Sequence, residues 1–385
     1  MRILLAPDKF KGSLSSTEAI DVMRRAILDR QPSFEVVGLA MADGGDGTLA
    51  AVLDHGYSLR RGPTVDALGR PCIGAFARRG DEALVELAGV CGLASVLDLP
   101  RRPFEASTLG LGLIARQAIN EGAREILVAL GGSASIDGGL GFLMGLGFEV
   151  TNSSGRPVAP GLGGLADAMH LDLGSPPRSV MECRWRFLTD VDSPLLGPSG
   201  AAWVFGPQKG LDAADLARAD QLLKGWTRLL RSRDPDLEWL PGMGAAGGVA
   251  YAGAVVLGAT VGSGAAWVAD RVGLDDAIRW ADMVVTGEGA FDEQSFARKA
   301  PNEVIVRSIA QGKHVYVVAG SVAVTEADLR RRGIAGAVAL SGLAGSVDAA
   351  QHDPVTWLTE ATANLLSARV GEEQICAKNS NKRFS

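Results

Sequence analysis

A short apolar run, a loop of small residues and then an amphipathic helix recur along this chain, and that repetition restricts it to folds built on a largely parallel sheet. RILLAPD (2–8) leads through a loop into SSTEAIDVMRRAILDR (15–30). There Ser15 and Glu18 have the spacing of a capping box, and Ile20, Met23 and Ile27 share one helical face. Late in the chain MVVTGEG (283–289) precedes PNEVIVRSIAQG (301–312), whose Pro301 suits a first helical turn. HVYVVAGS (314–321) precedes TEADLRRRG (325–333), and AGAVALSG (335–342) precedes a helical stretch near 354–369.

The middle reads differently. Residues 58–90 look like short strands with turn signals, followed by a helix at 107–121, a strand at 124–130 and a long helix from about 212 to 233. With 385 residues, two cores are expected. The predicted class is α/β: a discontinuous, doubly wound domain of Rossmann or flavodoxin type over 1–65 and 280–371, with a second α/β domain, 66–279, inserted into it. The polar segment 372–385 is expected to be a disordered tail.

Composition removes several classes of partner. The net charge of −6 and an aromatic content of 5% oppose a nucleic-acid surface. Cys72, Cys91, Cys183 and Cys376 are scattered without a C-x-x-C pair, so free thiols in a reducing cytoplasm are expected. The N-terminal run ILLA stops at Pro7, too short for a signal-peptide core. From Pro241 to Ala269 there is no charge, but eight glycines and Ser263 make the stretch weakly apolar. It reads as a glycine turn and a buried helix, not a membrane span. Monomer and homodimer both remain open.

In open α/β sheets ligands gather beyond the carboxyl ends of the strands. Five such ends carry glycines, carboxylates or lysines: Asp8, Lys9 and Lys11; Asp43 and Asp46; the loop LGGSASIDGG (130–139); Asp190; and Glu288 with Asp292. The 130–139 loop fits an anion cradle, whose glycines let backbone N–H groups turn inward while Ser133 and Ser135 add hydroxyls. It equally fits a tight turn that needs small residues for packing. Lysines number 8 against 30 arginines, yet Lys9, Lys11, Lys209 and Lys299 all lie in such loops, as an anionic substrate would require. The carboxylates suit Mg²⁺ on a nucleotide and a base for a substrate hydroxyl, although loop aspartates also serve as caps. No G-x-x-x-x-G-K-[ST] is present, and GMGAAG (242–247) follows Pro241 instead of a strand, so NAD binding is not expected.

Taken together, APDKFKGSLS (6–15), MADGGDGT (41–48), GGSASIDGG (131–139), VFGPQKG (204–210), GAAGG (244–248) and TGEGAFDEQS (286–295) resemble the type I glycerate kinase family. The resemblance implies a cytoplasmic, two-domain α/β enzyme that phosphorylates D-glycerate with ATP and Mg²⁺, 2-phosphoglycerate being favoured as product. A kinase for another short hydroxy acid, or a non-catalytic anion-binding regulator, would share these loops. The expected roles are these. Gly131, Gly132, Ser133, Ser135, Gly138, Gly139 and Lys299 hold nucleotide phosphates. Asp190 takes the hydroxyl proton, or else binds metal with Glu288 and Asp292. Lys11 and Lys209 neutralise the carboxylate or the moving phosphoryl group, and Asp8, Lys9, Asp43 and Asp137 contact substrate. The chain departs from the family pattern at Ser135 and Ile136, where Thr and Asn are usual, at Ser193 and Arg298, and mildly at Asp46. Ile136 removes a possible polar contact.

Overall fold

The computed structural model describes residues 1–297 and 299–381, so Arg298 and positions 382–385 of the expected tail lie outside the described residues. Two units emerge. One joins Met1–Ala42 to the chain from Val268 onward, and the other is Asp43–Trp267. The sequence reading set the joints at 65/66 and 279/280. The first must fall earlier, because Ser58–Val65 pairs along its whole length with Pro71–Arg79 and so belongs to the middle sheet. At the second joint the helix Gly264–Arg271 carries the chain across.

The discontinuous unit holds a five-stranded sheet in the order Ile334–Ala339, His314–Val322, Met283–Phe291, Arg2–Leu5, Glu35–Gly38, with every pairing parallel. Its three inner strands carry buried apolar runs covered on both faces, whereas the edge strands Glu35–Gly38 and Ile334–Ala339 are only partly buried. The helix Ser16–Arg30 starts in the anticipated capping box, Ser15 accepting from the Glu18 N–H while Glu18 accepts from the Ser15 N–H. Ile20, Met23 and Ile27 pack into one core with Ile3, Leu5, Met283, Val285, Leu358 and Leu365. The strand at Glu35 ends formally at Gly38, but the N–H groups of Leu39 and Met41 go on donating to the carbonyls of Leu5 and Pro7. That ladder delivers the chain to Asp43. The last helix, Pro354–Asn381, runs on through residues 372–381 of the expected disordered tail. Residues 372–378 include Glu372, Glu373, Gln374, Ala377 and Lys378, good helix formers, and the segment contains no proline.

The middle unit has a six-stranded sheet in the order Thr260–Gly262, Arg184–Leu188, Glu125–Ala129, Glu82–Glu86, Pro71–Arg79, Ser58–Val65. The first four run parallel, and the last two complete an antiparallel edge. Phe142, Trp185 and Phe187 meet edge to face at its core, with centroids 5.7–6.4 Å apart. The uncharged stretch after Pro241 is not one buried helix. Gly258 ends the helix Val249–Leu257, and the short edge strand Thr260–Gly262 follows before the next helix begins. Among the described residues, no helix is long and apolar enough to cross a membrane.

Candidate active site

In the middle unit, the Gly44–Gly45 turn meets the glycine-bearing turns that follow the strands Glu125–Ala129 and Thr260–Gly262. The Gly131 N–H donates to the Gly44 carbonyl at 3.0 Å. A side chain at Gly131 would stand 2.5 Å from the Gly45 Cα, and one at Gly264 would stand 2.4 Å from the Gly44 Cα. Glycine is needed here because backbone touches backbone. The turns bring Asp43 and Asp190 into one neighbourhood. Asp190 is half-buried and accepts from the N–H groups of Gly264 (3.2 Å) and Ala265 (2.9 Å), the first turn of the helix Gly264–Arg271. Burial, reinforced by the negative charge of Asp43, pushes its carboxyl up to about 7, while the Ser263 hydroxyl and the two N–H groups pull it down. A carboxylate that gains its proton near neutrality is matched to general-base work.

The loop after Glu125–Ala129 divides into an exposed mouth and a buried body. Gly131 and Gly132 reach solvent, whereas every residue from Ser133 to Gly139 is buried. The N–H groups of Gly138 and Gly139 are spent internally, on the Gly247 carbonyl and on Asp137. Gly138 has φ +63°, and a side chain there would lie 2.6 Å from Trp226, whose indole N–H donates to the Gly138 carbonyl. These two glycines, expected to hold phosphate, therefore serve the turn and its packing. Of the loop residues expected to hold phosphate, Gly131 and Gly132 are the ones that reach solvent.

Asp137 also moves from its expected place against substrate. It is completely buried and accepts from the Thr108 N–H and hydroxyl, both at 2.8 Å, and from the N–H groups of Gly139 and Gly141, both at 3.1 Å. Burial raises its carboxyl against the pull of those donors. It braces the loop. Lys209, expected to face the reacting groups, is 5% exposed with its ammonium 2.7 Å from the Ser135 carbonyl. Burial pushes that ammonium down to about 7, with Asp137 acting in the opposite direction. Ser135 is buried too, and Ile136 points into the apolar core, so the amide missing at 136 removes no surface contact.

The discontinuous unit carries its own set. The Asp8 N–H donates to the Gly287 carbonyl, and Asp8, 6% exposed, accepts from the Lys9 N–H at 2.7 Å. Lys11 is exposed and lines a small hollow with Ser13, Gly289, Gly320 and Gln351. Glu288 lies inside the strand Met283–Phe291, opposite Ala319, and not beyond its carboxyl end as expected from the sequence. It is nearly buried, and the Lys299 ammonium stands 3.8 Å from its carboxylate. Lys299 itself occupies the N-cap position of the helix Ala300–Ala310. Asp292 caps the short turn Glu293–Phe296, accepting from the Gln294 N–H while the Ser295 hydroxyl accepts from the Asp292 N–H. Capping engages Oδ1 of the carboxylate expected to hold metal. Asp46 is an exposed residue beside the Gly44–Gly45 turn. Among the described residues no group of three or more His, Cys, Asp and Glu side chains stands ready to hold a metal by itself. Mg²⁺ carried on a nucleotide asks for only one or two protein carboxylates.

Sequence reasoning missed Thr108, Ser263 and Gly264. Ser263-Gly264 before an apolar helix was a readable start signal, whereas Thr108 meets Asp137 across 29 positions and left no local trace.

The model of the glycerate kinase family matches residues 3–369. Glycerate 2-kinase of Escherichia coli K12 is 31% identical over 371 residues, covering 95% of this chain and 97% of that one. Glycerate kinase of Bacillus subtilis 168 is 34% identical over 330 residues, covering 84% and 85%. A crystal structure from Salmonella typhimurium LT2 that carries the designation glycerate kinase 2 superposes with a TM-score of 0.79 at 29% identity, covering 97% of this chain and 99% of that one.

Proposed function

The chain belongs to the glycerate kinase family, and from that premise we propose that it transfers the γ-phosphoryl group of ATP to a hydroxyl of D-glycerate, giving 2-phosphoglycerate and ADP. The observation that carries the reading is Asp190, a carboxyl held by a helix N-terminus beside Asp43 and titrating near neutrality. As the hydroxyl oxygen bonds to phosphorus, its proton passes to Asp190, and the bond from phosphorus to the ADP oxygen breaks. At the mouth of the glycine loop the N–H groups of Gly132 and Ser133 serve phosphate oxygens, that of Gly131 being taken by the Gly44 carbonyl. Lys11, exposed on its loop, neutralises the glycerate carboxylate or the phosphoryl group in motion, and Lys299 meets the nucleotide.

Glu288 is the carboxylate we assign to Mg²⁺. Its donor chemistry fits, for it is a nearly buried oxygen ligand whose charge is balanced by an ammonium at 3.8 Å. When bound with the nucleotide, the ion neutralises charge on the phosphate oxygens. The proposal extends to a cytoplasmic location, which the scattered free cysteines support.

A coupled ADP-release assay tests this reading across D-glycerate, L-glycerate, glycolate and lactate, with NMR of the product. Turnover with D-glycerate and phosphorus on the 2-oxygen is the expected result. Preference for another hydroxy acid would make this a different kinase, and nucleotide binding without turnover would make it a regulator.

A further inference from the structure

Lys209 ends the helix Ala201–Lys209, after which Gly210 turns the chain away in a left-handed conformation. Its ammonium reaches the inner side of the glycine loop, 2.7 Å from the Ser135 carbonyl and 3.4 Å from the Ser133 hydroxyl. The Ser133 hydroxyl in turn donates to the Ser135 carbonyl and accepts from the Ser135 N–H, both at 3.1 Å. A closed knot of one ammonium, one hydroxyl and the two backbone polar groups of Ser135 thus sits immediately behind the exposed mouth at Gly131–Gly132. On either side of Ser133 the backbone is pinned to a neighbouring segment. The Gly132 carbonyl accepts from the Leu93 N–H at 2.8 Å, and the Ala134 N–H donates to the Cys91 carbonyl at 3.1 Å.

We infer that Lys209 is a positioning residue for phosphoryl transfer, acting through Ser133 and Ser135 to aim the Gly131–Ser133 backbone at the nucleotide, and not a contact of the moving phosphate. The inference rests on the reading of this loop as phosphate-binding. Three features carry it. The side chain is almost wholly buried under the loop; its ammonium already donates within the unit; and Asp137, the charge that influences it, is bonded into the same loop. An ammonium suits the position better than a guanidinium, since its compact, rotatable donors can serve a carbonyl and a hydroxyl from one point.

The test is a double-mutant cycle with Lys209→Met and Ser133→Ala, reading KM for ATP, kcat, KM for D-glycerate and the Kd of a fluorescent ATP analogue. Lys209→Met is expected to raise KM and Kd for nucleotide by ~10-fold or more, the scale of a lost hydrogen bond from a charged donor. KM for D-glycerate should stay within about twofold, since uniform nucleotide binding is what is removed. Ser133→Ala should show a smaller effect of the same kind, and the double variant should be no worse than Lys209→Met alone, because both act on one knot. A fall in kcat of about 10³-fold at unchanged KM for ATP would make Lys209 a direct contact of the transferring group and overturn the inference. So would effects of the two substitutions that simply multiply. If Lys209→Met loses its native circular dichroism, Ser133→Ala carries the test alone: raised nucleotide Kd supports the inference, and unchanged Kd ends it. Wild-type protein run in parallel keeps the two claims apart. Absence of D-glycerate-dependent ADP release there would refute the functional reading, while the nucleotide Kd values would still report on the knot.

Discussion

Three aspartates of the middle unit show how placement divides one residue type among several tasks. Asp43 accepts from the Gly45 N–H and supplies negative charge; Asp137 is enclosed by four donors; Asp190 holds the start of a helix with its proton affinity raised to about 7. Asp190→Asn should lower kcat at least ~10²-fold if the residue is the base. Its stability effect separates that role from capping. A carboxyl raised in the folded state favours folding below the ordinary carboxylate range, and that contribution disappears as pH climbs through about 7. Above that pH the partly dry charge is a cost that Asn does not carry, so at pH 8 Tm should not fall. A drop of more than about 5 °C would mark Asp190 as chiefly structural. Asp137→Ala should do the reverse, leaving buried donors without an acceptor at a cost of about 3 kcal/mol. Thermal melts should show this as a fall of roughly 6–12 °C in the middle unit's transition. An unchanged melt would remove Asp137 from its bracing role.

At the scale of elements, what could be read in advance was what is encoded locally. The helix Ser16–Arg30 announced itself because its cap and its apolar stripe lie within its own residues. The strand at Glu125 and the glycine loop after it were equally plain. The two possible uses of that loop were not separable, because the groups that decide between them come from elsewhere: Trp226 and Gly247 claim Gly138, and Thr108 claims Asp137. Glu288 was placed in a loop because the glycines on either side of it look like a strand ending. Parallel pairing with His314–Val322 instead carries the strand through to Phe291. Gly131→Ala tests the close approach directly. Its methyl would press on the Gly45 backbone and displace the turn that bears Asp43, so kcat/KM should fall by about 10²-fold, the scale of a misplacement near 1 Å. Kinetics within twofold of wild type would show that the turns need not touch.

For the whole molecule, the alternation of runs and helices was enough to reveal α/β sheets, and the motif set was enough to reveal the family. Unit limits were less visible because no linker composition marks them. The first lies where the Leu39–Met41 ladder gives out, the second inside an ordinary helix. The chemistry proposed for the chain finally turns on one proton acceptor. The most direct measurement is the pH dependence of kcat/KM for D-glycerate in wild type and Asp190→Asn. Wild-type activity should fall about tenfold per pH unit below about pH 7, with the acid limb absent from the variant's residual rate. A flat wild-type profile between about pH 5 and 8, or the same acid limb in both proteins, would contradict the assignment of Asp190 as the base.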